Sequence, residues 1–155
     1  MFGKLMRMSI FGSKAPWYIA GLAFECGQCG RCCAGPEDGY VWISDSEIEA
    51  LAQFMGIDAR QVRRRYIRTV GRRQTIIEDP RTNDCIFLQP LVTSPGKGCS
   101  IYEIRPTQCR TWPFWPSNLS GIEAWATAAQ RCPGINRGKV HPFHEIEAKR
   151  QATEP

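Results

Sequence analysis

Cys26-Gly-Gln-Cys29-Gly-Arg-Cys32-Cys33 sets four thiols within eight residues, and four more follow at Cys85, Cys99, Cys109 and Cys132. So tight a run is poorly served by disulfides, because adjacent and near-adjacent cysteines miss the preferred Cα separation or store strain. Thiolates facing one electron-poor centre avoid that problem, which points to a metal or an iron–sulfur cluster. Two Cys-x-x-Cys steps share Cys29. Iron–sulfur clusters use such runs, completed by a remote Cys-Pro; Cys132-Pro133 suits that part, although the ferredoxin spacing is absent. Cys26-x-x-Cys29-Gly30 also reads as half a structural zinc site, so spacing leaves zinc and iron open. Neighbours in an extended segment point apart, so Cys32 and Cys33 are expected to serve different centres, or one to stay free. Two four-ligand sites are the simplest accounting of eight thiols. Cys85 and Cys99 also have a plainer reading as buried apolar thiols.

Other residues could tune or extend such a centre. Arg105 and Arg110 flank Cys109, where a guanidinium lowers a thiolate pKa or offsets sulfur charge. Trp112, Phe114 and Trp115 are expected to shield a cofactor and fill a small core. His141 and His144 are zinc-capable, but with eight cysteines present they are read as surface histidines in a loop. No Ser–His–Asp pattern or paired carboxylate set suggests catalysis. Formal net charge is +5, with 15 Arg against 5 Lys. Ionised cysteines would cancel much of that surplus, so it is weak evidence for nucleic acid. Arg60, Arg64, Arg65, Arg68 and Arg72 are expected along one arc of a helix. Such a run usually means a solvated face, and no aromatic residues interleave with it to support single-strand binding. An RNA-associated role through this helix is the remaining alternative.

The elements that must position the thiols are short. The 155 residues fit one domain, and 11 Pro and 14 Gly imply many loops. The expected class is α+β: a small, loop-rich single domain of short helices and a few short strands around a Cys-ligated centre. Residues 1–15 are expected to be loose, 16–147 to form the cysteine-cluster domain, and 148–155 to be a disordered tail. Gly27 and Gly30 are expected where the backbone bends round the ligand. Gly39–Ile43 reads as a strand. Ser44-x-x-Glu47 is a capping box opening a helix that Gly56 stops, and Asp58 caps a second helix of about three turns. Residues 73–79 and 84–88 read as strands around a turn at 80–83, and 98–102 as another. Pro106 suits the first position of a short helical turn. Ser120-x-x-Glu123 reads as a second capping box before a helix ending near Cys132. The apolar run Pro16–Phe24 is short and lacks a small-residue cleavage site, and no segment approaches a membrane span. A cytoplasmic protein with reduced thiols is therefore expected.

Taken together, Cys26-x-x-Cys-x-x-Cys-Cys33, Cys85-Ile-Phe-Leu88, Cys99-Ser-Ile-Tyr-Glu-Ile-Arg-Pro-Thr-Gln-Cys109-Arg and Pro113-Phe-Trp115 resemble the CxxCxxCC zinc- or iron-chelating family, also called YkgJ-like cysteine-cluster proteins. The likeness spans about residues 17–138. It implies a small cytoplasmic bacterial-type protein that chelates zinc or an iron–sulfur cluster through these cysteines. The thiol pattern itself makes a [4Fe–4S]-type cluster the leading expectation, with zinc close behind, and electron transfer to a protein redox partner its expected use. Flagellin lysine N-methylase carries the same cysteine pattern in a larger enzyme, so a metal-dependent protein-modifying role is a second expectation. No glycine-rich strand–helix turn for a nucleotide-like cofactor accompanies it here.

Overall fold

The computed structural model describes residues 15–37 and 39–153. The expected loose segment at 1–15 lies almost wholly outside the described residues. The class is α+β, with short helices and three small antiparallel sheets. β1 (Leu22–Phe24) leads into the cysteine loop, which closes in a 3-10 turn at Arg31–Cys33. β2 (Val41–Trp42) precedes α1 (Asp45–Met55) and α2 (Ala59–Tyr66). β3 (Ile67–Val70) and β4 (Arg73–Ile76) form a hairpin that β2 joins in the order β2-β4-β3. β5 (Leu88–Pro90) pairs with β6 (Lys97–Cys99). Then come α3 (Thr107–Thr111), α4 (Pro116–Leu119), α5 (Ile122–Arg131), β7 (Ile135–His141), which pairs with β1, and α6 (Phe143–Thr153).

Local chemistry explains the best-formed helices. Ser44 Oγ accepts from the Glu47 amide while the Glu47 carboxylate accepts from the Ser44 amide, so both partners of the box are present. Ile48, Leu51 and Ala52 then fall on the buried face, and Gly56 ends the helix at φ +66°, a conformation glycine adopts without penalty. Asp58 and Gln61 make a second box at the start of α2.

Two hydrophobic clusters organise the rest. One gathers Tyr18, Phe24, Phe114, Trp125, Cys132, Ile135 and Ile146, from the two ends of the described chain. The other gathers Ile43, Ile48, Leu51, Val62, Ile76, Phe87 and Ile101, with Cys85 and Cys99 packed against it. The cysteine loop lies between them.

Several expectations are corrected. α2 ends at Tyr66, so Arg68 and Arg72 leave the helix for the β3–β4 hairpin; β-branched Ile67, Thr69 and Val70 favour the strand. Ser120 does not cap α5: its hydroxyl donates to the Ser117 carbonyl, and Gly121 takes the cap position. The tail expected to be disordered from 148 is helical through Thr153. Ile146 is fully buried on α6, and Tyr18 Oη donates to Glu147 at 2.7 Å. His141 is buried rather than superficial. Its ring nitrogens face the Phe24 carbonyl at 3.0 Å and Glu145 at 3.1 Å, whereas His144 is exposed.

Candidate metal centre

The cysteine loop is fixed by backbone approaches and side-chain anchors. A Cβ on Gly134 would meet the Glu25 carbonyl oxygen at 2.1 Å, and the Glu25 amide donates to the Gly134 carbonyl, so only glycine seats Cys26 beside Cys132. Gly30 sits at φ +71° with no room for a Cβ against Leu88, which brings the loop onto the β5–β6 hairpin and its Cys99. The Cys85 amide donates to the Cys33 carbonyl at 2.8 Å. Arg131 donates to the carbonyls of Arg31 and Ala34, at 3.1 and 2.6 Å. Asp84 accepts from the Gly35 amide at 2.9 Å and pairs with Lys97. Gly27 is not among the positive-φ residues of the loop; Gln28, at φ +53°, and Gly30 are.

Seven of the eight cysteines (Cys26, Cys29, Cys32, Cys33, Cys99, Cys109 and Cys132) line one cavity of about 40 Å³. Cys85 stands apart from it. That thiol lines an adjoining cleft of about 180 Å³, whose wall also carries Cys32, Cys33 and Cys109. All eight are free thiols. The expectation that Cys32 and Cys33 diverge is corrected. The 3-10 turn brings their sulfurs to 3.8 Å, because only an extended segment alternates its side chains.

The sulfurs act on one another. A hydrogen bond with Cys33, helped by the Arg105 and Arg131 charges, brings the Cys32 pKa down to about 7 against the opposing effect of burial. The same hydrogen bond, with burial and the neighbouring Cys109 and Cys85, pushes the Cys33 thiol up. Burial pushes Cys85 up to about 11 and also raises Cys99 and Cys109. So many neighbouring thiols cannot all ionise without a cation; a bound metal reverses that balance. A hydrogen bond to Cys26, then burial, raises the pKa of the Tyr102 phenol at the rim.

The other expected residues divide. Arg105 lines the thiol cavity; its Nε donates to the Tyr102 carbonyl and its guanidinium lies 3.6 Å from the Tyr102 ring centroid. Trp112 lines both cavity and cleft. Arg110 faces Thr107 and Glu47 instead of the thiols. Phe114 is fully buried in the first core, stacked on Trp125, and does not line the cavity. Sequence reading missed Arg131 and Tyr102. Both had a signal: one adjoins Cys132, the other lies between Cys99 and Cys109.

Among the described residues no group of three or more His, Cys, Asp or Glu side chains is set to hold one metal ion. The thiols line the space rather than close upon a point. The donor set nonetheless fits a thiophilic centre: unpaired cysteines predominate, two arginines offset sulfur charge, and the buried Trp112 indole N–H has no hydrogen-bond partner among the described residues. A sulfur acceptor in the cavity would suit that orphaned donor. Among the described residues no helix is long and apolar enough to cross a membrane.

Comparison with known proteins agrees with this chemistry. A family model described as CxxCxxCC, "Putative zinc- or iron-chelating domain", matches residues 25–133. The uncharacterized protein MJ0661 of Methanocaldococcus jannaschii is 29% identical over 116 residues, covering 72% of this chain and 55% of its own length. The chain thus spans about half the length of that curated relative. No solved structure matches. With the family match running from the residue before the first cysteine to the residue after the last, the chain belongs to the CxxCxxCC family of zinc- or iron-chelating cysteine-cluster domains.

Proposed function

We propose that the protein binds an iron–sulfur cluster of the [4Fe–4S] type at the cysteine cavity and serves in electron transfer or redox sensing in a reducing, cytoplasmic compartment. One observation carries this reading: seven free thiols from four separate stretches of chain line a single cavity. When bound, such a cluster supplies one-electron chemistry. The chain's own residues would do the rest. The cysteines ligate; Arg105 and Arg131 offset thiolate charge; Trp112 donates toward sulfur and, with Phe24, screens the cavity from water, which tunes potential. Cys26, Cys29 and Cys32 are exposed, which leaves an approach for a protein redox partner.

Anaerobic purification with elemental and sulfide analysis tests this. Iron with acid-labile sulfide and a broad absorbance near about 400 nm, from thiolate-to-iron charge transfer, is expected. A colourless protein carrying stoichiometric zinc would replace the cluster with a zinc centre, and no metal at all would remove both.

The cleft beside Cys85 favours a second reading, a centre with substrate access in a protein-modifying enzyme or accessory protein. Catalytic metal sites keep an open position, and the cleft shares Cys32, Cys33 and Cys109 with the seven-thiol cavity. Serine substitution of each cysteine in turn, with metal content measured, separates the two. A fully loaded Cys85→Ser protein supports an open centre; loss of half the metal supports two closed sites.

A further inference from the structure

Segment 59–77 carries seven arginines and no acidic residue. The expected single arginine face does not exist, because the helix stops at Tyr66 and the later arginines stand on the hairpin. There they meet aromatic rings that sequence reading did not associate with them. Tyr40 and Trp42 stack at 4.9 Å and 8°. The Arg68 guanidinium lies 5.3 Å from the Tyr40 ring centroid, and that of Arg73 lies 4.1 Å from the Trp42 centroid. Trp42, Arg72 and Arg73 also border a groove of about 530 Å³ running past Ser44 and Thr107. That volume lies within the range of about 300–1,000 Å³ common for ligand sites.

Charge on this side is unevenly committed. Asp45 is held by Arg63 and Gln74, Glu47 by Ser44 and Thr107, and Glu78 by Arg68 and the Gly39 amide. Among the described residues Arg72 and Arg73 have no acidic partner. A solvated arginine face has no use for stacked rings, and Tyr40 still exposes 45% of its surface. Guanidinium groups that engage phosphate, alternating with planar rings that offer stacking surface, are the combination that grips unpaired bases on a charged strand.

We propose that the outer face of the β2-β4-β3 sheet and its adjoining groove bind single-stranded nucleic acid. Arg72 and Arg73 take backbone phosphates, and the exposed Tyr40 ring takes a base, braced from behind by Trp42, whose other face Arg73 covers. This site lies outside the seven-thiol cavity, although Tyr40 also borders the Cys85 cleft.

The test titrates metal-loaded, anaerobically purified protein into a short labelled oligouridylate, followed by fluorescence anisotropy at rising salt. Binding with a steep salt dependence is expected. The Arg72→Ala/Arg73→Ala pair should flatten the log–log salt slope by about 1.4, at roughly 0.7 per lost phosphate contact. Tyr40→Ala should weaken binding about five-fold or more. Since Trp42 also covers the buried Thr75, Arg73→Lys replaces a Trp42 variant; it keeps the charge but loses the planar stack, and should fall between wild type and alanine. Absence of binding would overturn the proposal. So would heparin binding as tightly as the strand with Tyr40→Ala without effect, since that is plain polyanion exchange. Loss of binding in Arg60→Ala/Arg64→Ala with the hairpin pair unaffected would move the site to the helix and overturn it equally.

Discussion

A buried donor without an acceptor is costly, about 1–3 kcal/mol for an unsatisfied group, and Trp112 Nε1 is such a donor beside the thiols. Trp112→Phe removes the N–H and keeps most of the ring. In the metal-stripped protein no hydrogen bond is lost, so the thermal midpoint should hold or rise. In the loaded protein a hydrogen bond to sulfur would vanish, and the reduction potential should fall, because such bonds help set cluster potential. Voltammetry of both forms checks this. A stripped protein that melts markedly lower, with an unchanged loaded potential, would show Trp112 to be simple packing. At this scale the sequence was informative about ligand chemistry and poor about direction. Every cysteine was visible, because thiol density is a property of composition and spacing. That Cys32 and Cys33 face together depends on a 3-10 turn. That Arg131 rather than Arg110 braces the loop depends on which helix face meets it. Neither is written in adjacent letters.

Among the elements, Glu47 has the widest reach. It closes the capping box of α1 and accepts from both the amide and the hydroxyl of Thr107, tying α1 to the start of α3. Burial works to raise its pKa from 4.5, but the bonds from Ser44 and Thr107 outweigh it, and the net shift is downward. A carboxylate with a depressed folded pKa stabilises above its unfolded pKa and loses that contribution as pH falls through the folded value. Glu47→Ala should therefore cost about 1–3 kcal/mol at neutral pH, from the lost cap and the orphaned Thr107 donors. The deficit should shrink as pH drops below about 4.5, where wild type loses the same charge. Urea midpoints across that range test it; equal midpoints at pH 7, or a deficit constant with pH, would refute it. The Ser44 box and the Asp58 cap were legible because a cap is decided within four residues. The Ser120 box has the same letters and fails, since α4 draws that hydroxyl back to Ser117. The α6 helix was missed because its order comes from distant partners: Tyr18 bonded to Glu147, and Thr111 to Thr153.

For the molecule as a whole, the thiols occupy the seam between two small cores. Cys132 belongs to the core of Phe24, Trp125 and Ile146, while Cys85 and Cys99 pack on the core of Ile48, Leu51 and Phe87. Polar ties help join the halves: Gln108 to Trp42 and Tyr40, Glu47 to Thr107, and Arg131 to the loop. Each such bond contributes about 0.5–1.5 kcal/mol net, more where a charge is involved. Ligand bonds drawn from both cores would dominate that join, since metal affinity and folding free energy are linked when the site forms only in the folded chain. Chelation followed by dialysis should therefore lower the melting temperature, by roughly 2–4 °C for each kcal/mol lost at this chain length. Hydrogen exchange should locate the loss. Amides of the 26–37 loop should lose protection first, while those of Ile48, Val62, Trp125 and Ile146, at 4% exposure or less, should keep theirs until the protein opens as a unit. An unchanged melt would mean that the polar ties and two cores suffice. Simultaneous loss of protection in both cores would mean that neither folds without the metal between them.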